Sequence, residues 1–339
     1  MATDMSIGLA LGYWGREGDD ATATVLAAED LGYDSVWTAE AYGSDAFTPL
    51  TWYGARTRRI GLGTAVAQLS ARSPAATAMH ALTLDHLSGG RLRLGVGVSG
   101  PQVVEGWYGA PFPRPLERTR EYLDIMRQVW RREAPVTSDG PHYPLPLPGG
   151  TGLGKPLKPI TRPLRPRIPV YLGAEGPRNV ALAAEAADGW VPMFFHPERS
   201  PALYADALAS APDGFDIACT VTVVPGVDTD AALYTAKAPL AFYIGGMGAA
   251  RRNFHLDVFV RLGFGDAADK VQELFLAGRR GEAVAAVPDE LADALCLVGP
   301  LPRIAERLEA WRASPVTTLL VAGVRDEPTL RALRDMVLG

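Results

Sequence analysis

A single (β/α)8 TIM barrel spanning residues 1–339 is the fold this sequence predicts. Eight short apolar runs rich in β-branched residues follow one another along the chain. Stretches with helical spacing separate them, and glycines stand where several of those stretches stop. A doubly wound open sheet has the same order of elements and stays the alternative, because strand count alone does not separate a closed sheet from an open one.

The elements come in order. Ser6 to Leu11 reads as the first strand, followed by Gly12-Tyr13-Trp14-Gly15. Thr22 to Leu31 is Ala-rich with helical spacing, and Gly32 stops it. Asp34 to Thr38 is the second strand and Ile60 to Leu69 the third. Pro74 to Leu87 is a helix with Ala78, Leu82 and Leu87 near one face, ended by Gly89-Gly90. Arg91 to Val98 is the fourth strand, with a helix from Leu116 to Arg132 after it. Ile168 to Leu172 is the fifth, followed by a helix from about Pro177 to Ala187. Trp190 to Phe195, Asp216 to Val224 and Thr317 to Ala322 complete the set. Two insertions, at about 135–167 and 234–302, follow strands four and seven. The first holds too many prolines for a regular helix and predicts a long ordered loop. The other insertion reads as helical at Lys270 to Ala277 and Glu290 to Leu297, with a glycine-rich knot at Gly245-Gly246-Met247-Gly248.

Composition narrows the function. The chain has 339 residues, 47% hydrophobic and 21% charged, ample for a large core. Lys plus Arg is 33 against 38 for Asp plus Glu, a net charge of −5. No basic excess draws a nucleic acid or an anionic membrane. No apolar run reaches the roughly 18 residues of a membrane span, and Met1-Ala2-Thr3-Asp4-Met5 has no basic leader pattern. Two cysteines, Cys219 and Cys296, make neither a disulfide framework nor a four-thiolate metal site. A reducing cytoplasm and no bound metal are the plain expectations.

Several motifs fail on their context. Gly95-Val96-Gly97-Val98-Ser99-Gly100 matches a dinucleotide fingerprint, but Pro101 and a Trp-Tyr-Gly-Ala-Pro stretch follow where a long helix should open. The better reading is a strand end whose glycines let a flat ligand approach the backbone. Gly149 to Lys155 spells the front of a P-loop, but Pro156 replaces the hydroxyl residue that would hold Mg²⁺. No histidine pair has metal spacing, and no G-x-S-x-G elbow is present. His80 and His86 read as solvated or capping residues. His196 follows the sixth strand, at the end of a barrel where chemistry gathers.

The strand ends carry more. Glu40 closes the second strand, with Tyr42 close behind. A carboxylate there can take a proton or hold a ligand donor; a structural ion pair is the equal alternative. Gly173-Ala174-Glu175-Gly176-Pro177-Arg178 joins the fifth strand to its helix. Free amides, Pro177 at the first helical position and the charge of Arg178 suit a phosphate. A tight βα turn is the plainer reading.

These residues resemble the luciferase-like flavin and deazaflavin oxidoreductases nearly end to end. The likeness runs through Ile60 to Val66, Arg72-Ser73-Pro74, Leu84 to Arg91, Leu94 to Val98 and Ala187-Asp188-Gly189-Trp190. Val98 to Trp107 and Tyr243 to Gly248 resemble the actinobacterial branch assigned to coenzyme F420, a 5-deazaflavin. The resemblance implies a cofactor across the carboxyl ends of the strands. It implies a bulge with a non-proline cis peptide near Ala65-Val66 behind the ring. Val98 and Ser99 would lie along the ring or ribityl chain, Gly173 to Arg178 would cradle the phosphate, and Glu40 would hydrogen-bond the cofactor. Relatives that oxidise alcohols or sugar phosphates carry a His after that acid and a Glu at the end of strand four. Here Ala41 and a position near Gly100 stand in those places. Glu40, Tyr42, Tyr13 and His196 are left as groups that move a proton. The implied function is hydride exchange between the deazaflavin C5 and a small organic substrate. The pocket would be lined by Tyr13, Trp14, Tyr42, Trp107, Tyr108, Phe194 and Phe195 and capped by the proline-rich loop. An FMN-dependent monooxygenase using O₂ and a partner reductase, and a cofactor carrier without turnover, are the alternatives. A homodimer and a separate F420- or flavin-reducing enzyme are the expected partners.

Overall fold

The computed structural model describes residues 5–248 and 253–339. Met1 to Asp4, on which the expectation of no leader largely rests, lie outside the described residues.

Ten strands are present among the described residues: β1 (Ser6–Gly12), β2 (Ser35–Thr38), β3 (Gly61–Thr64), β4 (Ala67–Gln68), β5 (Leu92–Gly97), β6 (Val170–Gly173), β7 (Gly189–Val191), β8 (Asp216–Pro225), β9 (Cys296–Gly299) and β10 (Thr318–Ala322). Eight of them close a parallel barrel in the order β1-β2-β3-β5-β6-β7-β8-β10. The closing registers are Ser6 with Thr318 on one side of β10 and Ala218 with Thr318 on the other. That removes the open-sheet alternative.

The helices are α1 (Thr22–Leu31), α2 (Phe47–Gly54), α3 (Pro74–Ser88), α4 (Pro101–Gly106), α5 (Pro115–Arg131), α6 (Pro177–Ala186), α7 (Ser200–Leu208), α8 (Thr229–Gly245), α9 (Phe254–Arg261), α10 (Gly265–Leu276), α11 (Arg280–Ala285), α12 (Asp289–Leu295), α13 (Leu301–Arg312) and α14 (Glu327–Leu338). Local chemistry sets their ends. On α3, Ser73 Oγ accepts from Ala76 N–H, Pro74 takes the first turn, and Gly89 adopts a left-handed conformation at the exit.

Three elements depart from the sequence reading. The apolar run Ile60 to Leu69 is two strands, broken at Ala65-Val66. The sixth strand is only Gly189–Val191, and the chain leaves the sheet before Phe194. Cys296–Gly299 is a strand, where the sequence predicts helix through Leu297. β9 pairs with Thr222 to Pro225, of which Val223 to Pro225 outrun the barrel neighbour β10.

Two aromatic rings fill the barrel interior. Trp37 meets Tyr171 edge-on at 5.2 Å between centroids, with Val191, Ala218 and Leu320 around them. Glycines make the room: a Cβ on Gly63 would lie 2.1 Å from the Trp37 ring, and one on Gly189 would lie 2.4 Å from Tyr171.

The two insertions behave differently. The second, from α8 to β9, has its own apolar core of residues such as Ala236, Ile244, Phe259, Val271 and Leu291, and it meets the barrel through Phe194 and Val298. Its glycine-rich knot is a packing device. A Cβ on Gly245 would lie 2.3 Å from Phe275, and one on Gly248 would lie 2.6 Å from Asn253. The proline-rich segment runs along the outside of α3 and α5. His142 and Tyr143 donate backbone N–H bonds to Glu121, and Arg165 pairs with Asp85.

The glycines at the strand ends set a stability prediction. A Cβ on Gly95 would lie 1.9 Å from the Thr64 carbonyl oxygen, whereas one on Gly281 in α11 meets nothing within 4 Å. Gly95→Ala is expected to destabilise by about 3 kcal/mol, the upper end for overpacking. Gly281→Ala is expected to be neutral or to stabilise by up to about 1 kcal/mol. Chemical denaturation of the two variants checks both, and equal midpoints would refute the packing argument.

Candidate active site at the carboxyl ends of the strands

The site is built on a step in the sheet. The Ala65-Val66 peptide is cis, as the resemblance implies. Beyond it, β4 pairs with β5 at Ala67–Val96 and Gln68–Gly97. The Val66 side chain lies where Cβ atoms would stand on Gly97 and Gly173, at 2.6 and 3.0 Å. This corrects one expectation: the space beside Gly95 and Gly97 holds Thr64 and Val66, and is not left open for a flat ligand.

Glu40 anchors the step. Its N–H donates to Val66 O at 3.2 Å, and Ala65 N–H donates to Thr38 O at 2.7 Å. The Glu40 carboxylate is buried and doubly held by Arg72, with Nη2 to Oε1 at 2.6 Å and Nη1 to Oε2 at 2.9 Å. Gln68 N–H donates to Oε2 at 2.8 Å, and Gln68 Nε2 donates to Glu40 O at 3.0 Å. The ion pair, one of the two readings of this position, is therefore present. Burial opposes the Arg72 charge, but the hydrogen bond and charge of Glu40 outweigh it and hold the guanidinium above its ordinary value. Tyr108 faces the same cluster, and burial first and the Glu40 charge second push its hydroxyl up. Gln68 Oε1 is buried and has no hydrogen-bond partner among the described residues, so a donor from a bound molecule would satisfy it.

A second cluster lies at the ends of β1, β6 and β7. Glu175 receives His255 Nδ1 at 3.0 Å on both oxygens. Burial pulls the His255 pKa down, but the charge and hydrogen bond of Glu175 outweigh it and raise it above the ordinary histidine value. Tyr243 meets His255 edge-on at 5.0 Å, and Phe194 packs against both rings at 5.4 and 5.9 Å. Burial and then the neighbouring Tyr13 hydroxyl push the Tyr243 hydroxyl well above its usual value. Tyr42 OH reaches Met247 Sδ at 3.8 Å. The roof over Tyr13 and Tyr42 thus comes from the second insertion. The proline-rich loop, expected to cap the pocket, is held instead along α3 and α5.

A sequence profile of the luciferase-like monooxygenases matches residues 8–318. The chain belongs to the luciferase-like monooxygenase family. Within it, a Mycobacterium tuberculosis protein named "Putative coenzyme F420-dependent oxidoreductase" is 55% identical over 333 residues, 95% of this chain and 96% of that protein. The 5,10-methylenetetrahydromethanopterin reductase of Archaeoglobus fulgidus is 32% identical, covering 88% of this chain and 87% of its own. The solved F420-dependent tetrahydromethanopterin reductase of Methanopyrus kandleri superposes with a TM-score of 0.77 over 98% of both chains. At 23% identity that likeness speaks for the fold alone.

The structure places the remaining predicted residues of this luciferase-like chain one by one. Val98 follows β5 and packs against the barrel core. Ser99 is left-handed at φ 59°, a conformation that costs a non-glycine residue about 1–2 kcal/mol. At Gly173 to Arg178, the Ala174 carbonyl accepts from Trp190 Nε1, and the Glu175 carbonyl accepts from Tyr204 OH and Arg261 Nη2. The start of α6 at Gly176-Pro177 has no side-chain cap, and Arg178 is exposed beside it. His196 stands apart from both clusters. It is buried, and its Nδ1 accepts from Glu198 and Arg199 N–H at 3.2 and 3.3 Å. Burial first, then Arg199, hold its pKa below the ordinary value. Sequence reasoning missed His255, Tyr243 and Gln68 as site residues. A cavity of about 650 Å³ lies at the opposite, amino-terminal end of the barrel, lined by Asp34, Arg93 and Asp216 among others. None of the predicted site residues reaches it.

The Glu40–Arg72 pair sets a test. Their side chains are 3% and 15% exposed. Arg72→Met leaves a buried carboxylate unpaired and is expected to cost about 3–5 kcal/mol. Combining it with Glu40→Gln is expected to recover at least half of that. A double-mutant cycle in urea checks the coupling, and strictly additive losses would refute it.

Proposed function

We propose that the protein is an F420-dependent oxidoreductase that exchanges a hydride between the deazaflavin C5 and a small organic substrate. The observation that carries this reading is Gln68 Oε1, a buried acceptor without a partner among the described residues, at the end of β4. An imide N–H of a deazaflavin pyrimidine ring supplies the missing donor. The uncapped start of α6 offers amides and a helix dipole to the cofactor's phosphate. The relatives named for F420 point to the same cofactor. When bound, F420 supplies or accepts two electrons and a proton as a hydride.

The chain's residues then divide the work. Val66, wedged above Gly97 and Gly173, backs the ring, while Val98 and Ser99 flank it. Gly173, Ala174, Gly176, Pro177 and Arg178 form the phosphate cradle. Glu40 acts by fixing Gln68 and Arg72, because Arg72 and Gln68 already occupy its carboxylate oxygens. Tyr13, Trp14, Tyr42 and Phe194 give the mouth an aromatic lining for an organic substrate. A homodimer and a separate enzyme that reduces the cofactor belong to the same proposal, as does a reducing cytoplasm, which accords with two free buried thiols.

Titrating the purified protein with F420 and with FMN, followed by fluorescence quenching, tests the reading. Micromolar or tighter binding of F420 with weaker FMN is expected. Gln68→Leu should weaken F420 by roughly tenfold, the worth of one hydrogen bond. Preference for FMN would favour the monooxygenase alternative, which oxygen uptake with reduced FMN would check. Binding of neither would remove the cofactor assignment.

A further inference from the structure

We propose that the cavity at the amino-terminal end of the barrel is a second binding site, which takes a small hydroxylated oxyanion: a hydroxycarboxylate or a polyol phosphate. The site is independent of the F420 reading, because the cofactor groups named above stand at the other end of the strands.

The barrel itself makes the cavity. Side chains of barrel strands point inward at every second residue. Gly63, Ala218 and Leu320 stand at the level of the Trp37 and Tyr171 rings. Two residues earlier on the same strands, Gly61, Asp216 and Thr318 line the cavity of about 650 Å³, and Tyr171 closes its inner end. Gly61 leaves the passage that Arg93 uses: a Cβ there would lie 3.2 Å from Arg93 Nε. The inward layer below the aromatic rings is thus polar and unfilled, where a packed barrel carries bulky apolar side chains.

Four arginines line this space, and three are committed. Arg91 donates to Gly54 O, Ile60 O, Ser88 O and both oxygens of Thr57. Arg165 is paired with Asp85. Arg59 is exposed and donates to Glu29 O. Arg93 differs from all of them. It is half-buried, its Nη1 reaches only Ser35 Oγ at 3.4 Å, and it makes no ion pair among the described residues. That hydroxyl already accepts from Trp37 Nε1 at 2.8 Å. Most of the Arg93 N–H donors therefore have no protein acceptor among the described residues, and an oxyanion matches a guanidinium fork best.

Two carboxylates line the same cavity and decide what else the ligand carries. Asp216 is filled by neutral donors: Oδ1 accepts from Thr317 and Thr318 Oγ1 at 2.6 and 2.8 Å, and Oδ2 accepts from Tyr171 OH at 2.9 Å. Asp34 Oδ2 accepts from Ile7 N–H at 3.1 Å, and its Oδ1 takes no hydrogen bond from the described residues. A bare anion gains Arg93 but meets two negative charges. A ligand that also offers a donor to Asp34 offsets that repulsion. With Arg165 compensated by Asp85, three guanidiniums still line the cavity against two carboxylates. A neutral hydroxyl suits that balance better than an ammonium group. The lining holds no histidine or cysteine, and barrel chemistry gathers at the other end of the strands. The cavity is a binding site and not a second active site.

The test titrates the full-length protein by calorimetry at constant ionic strength. One set of probes is succinate, L-malate and L-aspartate; the other is methyl phosphate and glycerol 3-phosphate. Each set keeps the oxyanion and changes the group offered to Asp34. Saturable one-to-one binding is expected, with L-malate tighter than succinate and L-aspartate, or glycerol 3-phosphate tighter than methyl phosphate. The set that shows the preference tells a carboxylate ligand from a phosphate one. Arg93→Met should weaken that ligand by roughly tenfold or more, the worth of a charge-assisted hydrogen bond, with the thermal midpoint and the F420 response of the parent. Asp34→Asn keeps an acceptor for Ile7 N–H and should shrink the preference for the hydroxylated probe; it carries the test alone if Arg93→Met fails to fold. No saturable binding of any probe overturns the proposal. So does an unchanged affinity in Arg93→Met, which would place the anion elsewhere, as at the start of α6. L-aspartate binding tighter than L-malate, or a preference that Asp34→Asn leaves intact, overturns it as well.

Discussion

The placement of Val66 is the constraint on which the rest of the site depends. A side chain occupies the space above the ends of β5 and β6, so those ends have no room for a Cβ at Gly97 or Gly173. Gly95 makes the same concession to the Thr64 carbonyl. Because β4 is thereby offset from β3, Gln68 arrives beside Glu40, and Glu40 holds the offset through its own N–H to Val66. A buried carboxylate in that position needs a compensating charge, and Arg72 supplies it from the turn that leads into α3. The step, the glycines and the ion pair form one unit, and no member is independent of the others.

The two carboxylates at the mouth, Glu40 buried and Glu175 half-buried, illustrate how a partner decides a role. Glu40 is bound to a guanidinium, which stays charged at any pH the protein meets. That pair holds structure, with both carboxylate oxygens occupied by Arg72 and Gln68. Glu175 is bound to an imidazole, whose charge changes near neutrality. The same side chain on the barrel rim is thus a brace in one place and part of a titrating pair in the other. Seen from a carboxylate alone the two positions are alike; the difference lies in what the fold brings opposite them.

That difference explains what could be read from the chain. Six of the barrel strands were legible because β-branched runs recur between helical stretches, and the runs at Ile60 and Trp190 were legible but overextended. The break at Ala65-Val66 is invisible to hydrophobic patterning, since the run from Ile60 to Leu69 stays apolar through it, and it entered only through the family resemblance. β9 was hidden because Cys296 follows α12 without a turn and its partner is the last residues of β8, mostly beyond the reach of β10. Glu40 and the stretch Gly173 to Arg178 announced themselves by standing at strand ends. His255 did not. It sits in a polar stretch of an insertion, and the carboxylate that gives it meaning is 80 residues away. No local spacing encodes such a pair, and neither does an orphaned acceptor such as Gln68 Oε1, which exists only once the neighbouring groups are in place.

The insertions carry a further lesson about where a barrel can change its chemistry. The proline-rich segment is long and resembles a lid, yet it leaves α5 at the end remote from the strand termini and returns to β6 along the outer wall. A segment that joins a helix to the next strand begins and ends on the amino-terminal side of the barrel. The second insertion starts at the carboxyl end of β8, so its helices pack directly over the mouth with a core of their own. It can therefore replace titratable groups above the site without disturbing the barrel below. With Ala41 and Gly100 bare of protons, the groups that face the mouth from above are Tyr243 and His255, held to each other by Asn253 and to the barrel by Glu175. The barrel fixes the strand ends, and the insertion fixes which side chains face them from above.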